Sequence, residues 1–102
     1  MTTAISVNGS GTKQTTQIQA SPGASAHNQV VRIIFWAFGE FVANLLLTDG
    51  TTIWTFPLRG GGEPLDLAAL RLNTADNTAL SYSVSADTTM AWSGYIEVDV
   101  PS

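Results

Sequence analysis

Leu80-Ser81-Tyr82-Ser83-Val84-Ser85-Ala86 is the stretch that decides the fold class, because apolar residues alternate with serine along it without a break. In an extended strand successive side chains point to opposite faces, so Leu80, Tyr82 and Val84 mark a core face and the three serines a face turned to water. On a helix the same spacing would scatter both sets around the circumference. Beyond Asp87-Thr88-Thr89 the pattern returns over Met90–Val100. There Trp92, Ile96, Val98 and Val100 alternate with Ser93, Glu97 and Asp99, and Tyr95 joins the polar side.

Upstream, Asn73–Asn77 (NTADN) is turn chemistry, and Leu65–Leu72 (LDLAALRL) reads either as a helical turn or as extended chain with short strands. Arg59–Pro64 is an open loop. Asp49-Gly50, between Phe41–Thr48 and Thr51–Leu58, is a strong hairpin signal, and Pro57 ends its strand or places it at an edge. Val30–Phe38 differs from the other runs. Val31, Ile33, Phe35 and Ala37 form one face; Val30, Ile34, Trp36 and Phe38, with Arg32 among them, form the other. Both are largely apolar, as in strands buried on two sides. A two-layer sandwich has one core, so the second face needs a cover, either a folded-over loop or a neighbouring subunit. Thr15–Ala20 makes a first strand, broken by Ser21-Pro22-Gly23. Residues 1–14 are polar and weakly patterned, a frayed terminus or an arm that orders against a neighbour. The expectation is an all-β, antiparallel two-sheet sandwich over residues 15–102, a jelly roll, preceded by a polar N-terminal arm over 1–14.

With 102 residues the chain has room for one core. Its charged fraction is 12%, where soluble domains carry about a quarter. A small body normally covers its large relative surface with charge, so the shortage favours a neighbouring subunit over Val30, Arg32, Ile34, Trp36 and Phe38. Net charge is −4 and the only cations are Lys13, Arg32, Arg59 and Arg71. Four scattered cations cannot displace the counterions of a nucleic acid or hold an anionic membrane. The absence of cysteine excludes disulfides and thiolate chemistry. Met1-Thr2-Thr3-Ala4 opens no signal peptide and the longest apolar run is too short to span a bilayer, so a soluble, cytoplasm-made protein is expected.

Residues that carry chemistry are scarce. His27 is the only histidine, and Ala26 and Asn28 beside it provide neither a nucleophile nor a further ligand. Of the carboxylates Glu40, Asp49, Glu63, Asp66, Asp76, Asp87, Glu97 and Asp99, most lie in turns, where Asp bonds nearby backbone. Glu97 and Asp99 project to one outer face. A calcium site from Asp76 and Asp87 lacks the EF-hand spacing. Gly60-Gly61-Gly62 is followed by neither a helix nor a Lys, so it is a flexible loop rather than a phosphate cradle. Trp54 is in phase with Phe56 and Leu58, and Trp92 with Ile96 and Val98, so both belong to the core; Trp36 lies on the second face of its strand. No catalytic, cofactor or metal residue emerges, and binding or building is the expected work.

From residue 30 onward the segments Val30-Val31-Arg32-Ile33-Ile34, Thr48-Asp49-Gly50-Thr51, Phe56-Pro57-Leu58-Arg59-Gly60-Gly61-Gly62, Ala69-Leu70-Arg71-Leu72-Asn73-Thr74 and Ser93-Gly94-Tyr95-Ile96-Glu97-Val98, preceded by the loop Ser21-Pro22-Gly23-Ala24, follow one outline. In that order the chain resembles small jelly-roll structural proteins of tailed bacteriophages. The Phe35-Trp36-Ala37-Phe38 run is more aromatic than that outline, and residues 1–14 match no part of it. The resemblance implies a virion protein of the head-decoration or capsid-cement type, made in a host cytoplasm, that contacts itself as a homotrimer and the major capsid protein. The alternative is a fibre-tip domain that binds a glycan or receptor.

Overall fold

The computed structural model describes residues 2–38, 43–58, 64–86 and 91–101, and among them period-two patterning produces nine strands. They are β1 (Thr3–Ser10), β2 (Lys13–Gln19), β3 (Gln29–Phe38), β4 (Ala43–Thr48), β5 (Ile53–Leu58), β6 (Leu65–Leu67), β7 (Leu72–Asn73), β8 (Leu80–Ala86) and β9 (Ala91–Asp99). One sheet runs β1-β9-β3-β6, with β7 also on β3, and the other runs β2-β8-β4-β5. Every pairing is antiparallel. With β6 and β7 taken as one interrupted edge strand, eight strands divide between two packed sheets in jelly-roll order; alternation predicted the sandwich, and the pairings supply the strand order.

Leu65–Leu72, ambiguous as sequence, is extended chain with a break. Ala69 adopts a left-handed backbone (φ 57°), and the Leu70 N–H donates to the Val31 carbonyl at 2.9 Å. Val31 can offer that carbonyl because β3 has a bulge between Val30 and Arg32. The β4–β5 hairpin turns at Asp49-Gly50 as expected. Asp49 Oδ1 accepts from the Thr51 and Thr52 N–H groups at 2.9 and 2.7 Å, and Gly50 has a positive φ of 95°.

The core lies between the sheets: Val30, Ile33, Phe35 and Ala37 of β3, Leu45 and Leu47 of β4, Leu80, Tyr82 and Val84 of β8, and Trp92, Ile96 and Val98 of β9 are all buried. Trp92 stacks on Phe35 with centroids 5.8 Å apart and meets Tyr82 of the opposite sheet edge-on at 6.0 Å. Its indole Nε1–H donates to the Gly11 carbonyl at 3.0 Å, and a Cβ on Gly9 would stand 2.8 Å from the ring. These contacts correct the expected arm. Residues 3–10 are β1, paired with β9 along their whole length, with Val7 in the core. The expected first strand, Thr15–Ala20, becomes the second, Lys13–Gln19. Glu40, the Arg59–Glu63 segment and Asp87 lie outside the described residues.

Candidate functional site

The registers of the first sheet set its outer residues in rows. Ile34 of β3 lies between Tyr95 of β9 and Asp66 of β6, with Ser6 of β1 beyond Tyr95. On one side of that row Trp36 stands opposite Ser93 and then Asn8, and further on Phe38 stands opposite Ala91 and Ser10. On the other side Arg32 stands opposite Glu97 and then Ala4. Phe38 is 52% exposed and Tyr95 47%, while Ile34 and Trp36 are half-buried. The result is an apolar strip along β3, widened by Tyr95 and bordered by short uncharged side chains on the β1 side.

One end of the strip is charged. Arg32 Nε and Nη2 reach Asp66 Oδ1 and Oδ2, each at 3.4 Å, with both side chains about half exposed. With Glu97 directly across the ladder, that end of the strip holds one cation and two carboxylates.

Of the residues expected on the second face of Val30–Phe38, the structure brings Arg32, Ile34, Trp36 and Phe38 together and removes Val30. The bulge between Val30 and Arg32 shifts the phase by one residue, so Val30 faces inward and is fully buried. Tyr95, Glu97 and Asp66 complete the face. Tyr95 and Glu97 already stood on the polar side of the last strand's alternation, whereas Asp66 depended on a register that alternation does not contain.

The outer face of the second sheet is different in kind. Ser81, Ser83 and Ser85 of β8 flank Asn44 and Thr48 of β4 and Thr55 of β5, with Leu46 and the exposed Ile53 as its larger apolar groups. Trp54 is turned inward and half-buried against the core, as expected for it, and Trp92 is fully in the core.

The remaining polar groups hold the backbone. Asn28 is fully buried; its Nδ2 donates to the Ala20 and Thr78 carbonyls, each at 3.3 Å, and its N–H to Thr74 Oγ1 at 3.0 Å. Asp49 Oδ2 accepts from the Ala75 N–H at 2.9 Å, which ties the hairpin to the loop before β8. Burial pushes the Asp49 carboxyl up, but the N–H groups of Thr52, Ala75 and Thr51 outweigh it and leave the pKa below the ordinary aspartate value. His27 Nδ1 lies 3.6 Å from Asp76 Oδ1 at the surface, with no nucleophile hydrogen-bonded to it among the described residues. Among those residues no three His, Cys, Asp or Glu side chains gather to hold a metal, and no helix is long and apolar enough to cross a membrane.

No family model matches the chain, and no curated protein sequence matches it. Among solved structures, one described as TmCBM61 in complex with beta-1,4-galactotriose is similar over 96% of this chain and 69% of its own, with 11% identity and a TM-score of 0.45. At that distance the likeness bears on neither ligand nor site.

Proposed function

We propose that this chain is a non-catalytic structural protein of a tailed-bacteriophage virion, of the head-decoration or capsid-cement type. It docks through the outer face of the β1-β9-β3-β6 sheet onto the major capsid protein. The observation that carries the reading is the contrast between the two outer faces. One sheet bears a continuous aromatic and aliphatic strip of Ile34, Trp36, Phe38 and Tyr95; the other has a serine- and threonine-rich face with no aromatic residue in its described rows, interrupted by Leu46 and Ile53. Aromatic side chains ringed by small polar ones are the composition of a protein-binding patch. The jelly-roll order and the low charge agree with the family that the sequence resembles. Homotrimers, which that resemblance implies, would set three such faces at one joint between capsomers, where many modest contacts act together against internal pressure.

Binding of the purified chain to expanded, undecorated capsids of its own phage tests this. Saturable binding is expected, weakened about tenfold or more by Phe38→Ser combined with Tyr95→Ser. No binding by the unaltered chain ends the cement reading, and binding that ignores the double substitution moves the contact to another face.

A second reading, a glycan- or receptor-binding tip of a fibre, is favoured by one detail. Tyr95 presents an exposed ring in the same row as Ser6 and Asp66, beside the row of Arg32 and Glu97, so an aromatic platform has hydrogen-bonding groups at its edge. Saturable binding to a glycan panel, abolished by Tyr95→Ser and accompanied by no capsid binding, would select it.

A further inference from the structure

Among the described residues four edges end the two sheets, and an open edge presents unpaired N–H and C=O groups that invite another strand. Three are blunted. β2 has register breaks between Lys13 and Thr16 and between Gln17 and Gln19, and it carries a lysine. β5 contains Pro57, which has no N–H to give. The β6–β7 edge consists of pieces of three and two residues, broken at the left-handed Ala69. β1 has none of these devices. It is eight residues long, in unbroken register with β9, and free of proline and of charge.

We infer that the free edge of β1 is an interface with a second copy of the chain, the two β1 strands pairing antiparallel about a twofold axis. Self-pairing sets a strand against its own reversed sequence, and Thr3–Ser10 brings no like charges together when that happens. Apolar pairing selects the register. Ile5 points to the core side and is left half-buried at the open edge, with Val7 buried beside it. Pairing centred on Ser6 sets Ile5 opposite Val7 of the second copy and Ala4 opposite Asn8 of the second copy. Centring on Val7 would set Ile5 opposite a glycine and leave it uncovered. A twofold perpendicular to the sheet keeps outer faces on one side, so the Ile34, Trp36, Phe38 and Tyr95 strips of both copies lie on one continuous surface. The inference does not depend on what that surface binds. If trimers form as well, the same edge links them in pairs.

Sedimentation of the full chain at increasing concentration tests it. The unaltered protein is expected to reach an even number of copies. Ala4→Lys with Asn8→Lys, both at exposed positions, places like charges opposite each other across the axis and should halve that mass. Ala4→Lys with Asn8→Glu places opposite charges there and should keep it; because it alters the same two sites, it separates lost pairing from lost folding. A chain that stays monomeric at millimolar concentration overturns the inference. So does an odd assembly, a mass unchanged by the double lysine, or an oppositely charged pair that behaves like the like-charged one. Neither substitution touches Phe38 or Tyr95, so this outcome is distinguishable from a failure to bind capsids.

Discussion

Gly94 lies on the inward side of β9 where the Phe35 ring crosses it. A Cβ there would run into the Ile34 carbonyl oxygen, and would stand 2.6 Å from the ring and 2.8 Å from the Cα of Phe35. Two of those three obstacles are backbone of a paired strand and cannot withdraw. Gly94→Ala should therefore cost about 2–3 kcal/mol, read as a lower midpoint of urea unfolding. Asp49 gives a prediction in pH. Its carboxyl is held below the ordinary aspartate pKa by the N–H bonds, so the charged form is favoured by folding. A depressed folded-state pKa contributes stability above the unfolded value and loses it as pH falls through the folded one. Stability should hold from neutrality down to about pH 4 and decline below it. Asp49→Asn should remove that part of the decline and cost about 1–3 kcal/mol at pH 7, since an amide nitrogen then faces either the Ala75 N–H or those of Thr51 and Thr52. Thermal unfolding followed from pH 7 to pH 3 in both proteins checks it.

At the scale of the element, β8 was legible because apolar side chains strictly alternate with serine, and β9 because Trp92, Ile96 and Val98 alternate with serine and acid, Gly94 and Tyr95 being its exceptions. β1 was not. In Thr3–Ser10 only Ile5 and Val7 carry the period, and the next inward position is Gly9, which has no side chain because the Trp92 ring fills that space. An alternation whose third apolar member is supplied by another strand cannot be seen along the chain. The bulge in β3 was hidden for a related reason. Val30 and Val31 are equally apolar, and only the pairing with β9 decides which of them faces inward. β1 consequently behaves as structure and not as an appendage. Deleting residues 2–10 should expose Trp92 and Ile96 and abolish cooperative unfolding, with the tryptophan emission shifted to the red before any denaturant is added.

Across the whole molecule, the site was legible to the extent that one strand of the sequence was apolar on both sides. Arg32, Ile34, Trp36 and Phe38 do share the outer face, whereas their companions Tyr95 and Asp66 are brought in by sheet order, which alternation leaves open. Side chains on that face support little of the fold, because the core lies on the opposite side of the same sheet. Phe38→Ser with Tyr95→Ser should change unfolding stability by less than about 1 kcal/mol while reducing the binding of an apolar-surface dye. A large loss of stability in that variant would mean that the strip is packed against something within the chain.

The pairing of β1 with β9 has one more consequence. Thr3 stands directly across from Val98, so the first strand begins where the last one finishes. The start of β1 and the end of β9 thus lie side by side, as the two strands at the neck of an ordinary hairpin do. A bridge of about two to five residues would turn β9 and β1 into consecutive strands of a ring, which could then be reopened at the Asp49-Gly50 turn as a circular permutant with the same two sheets.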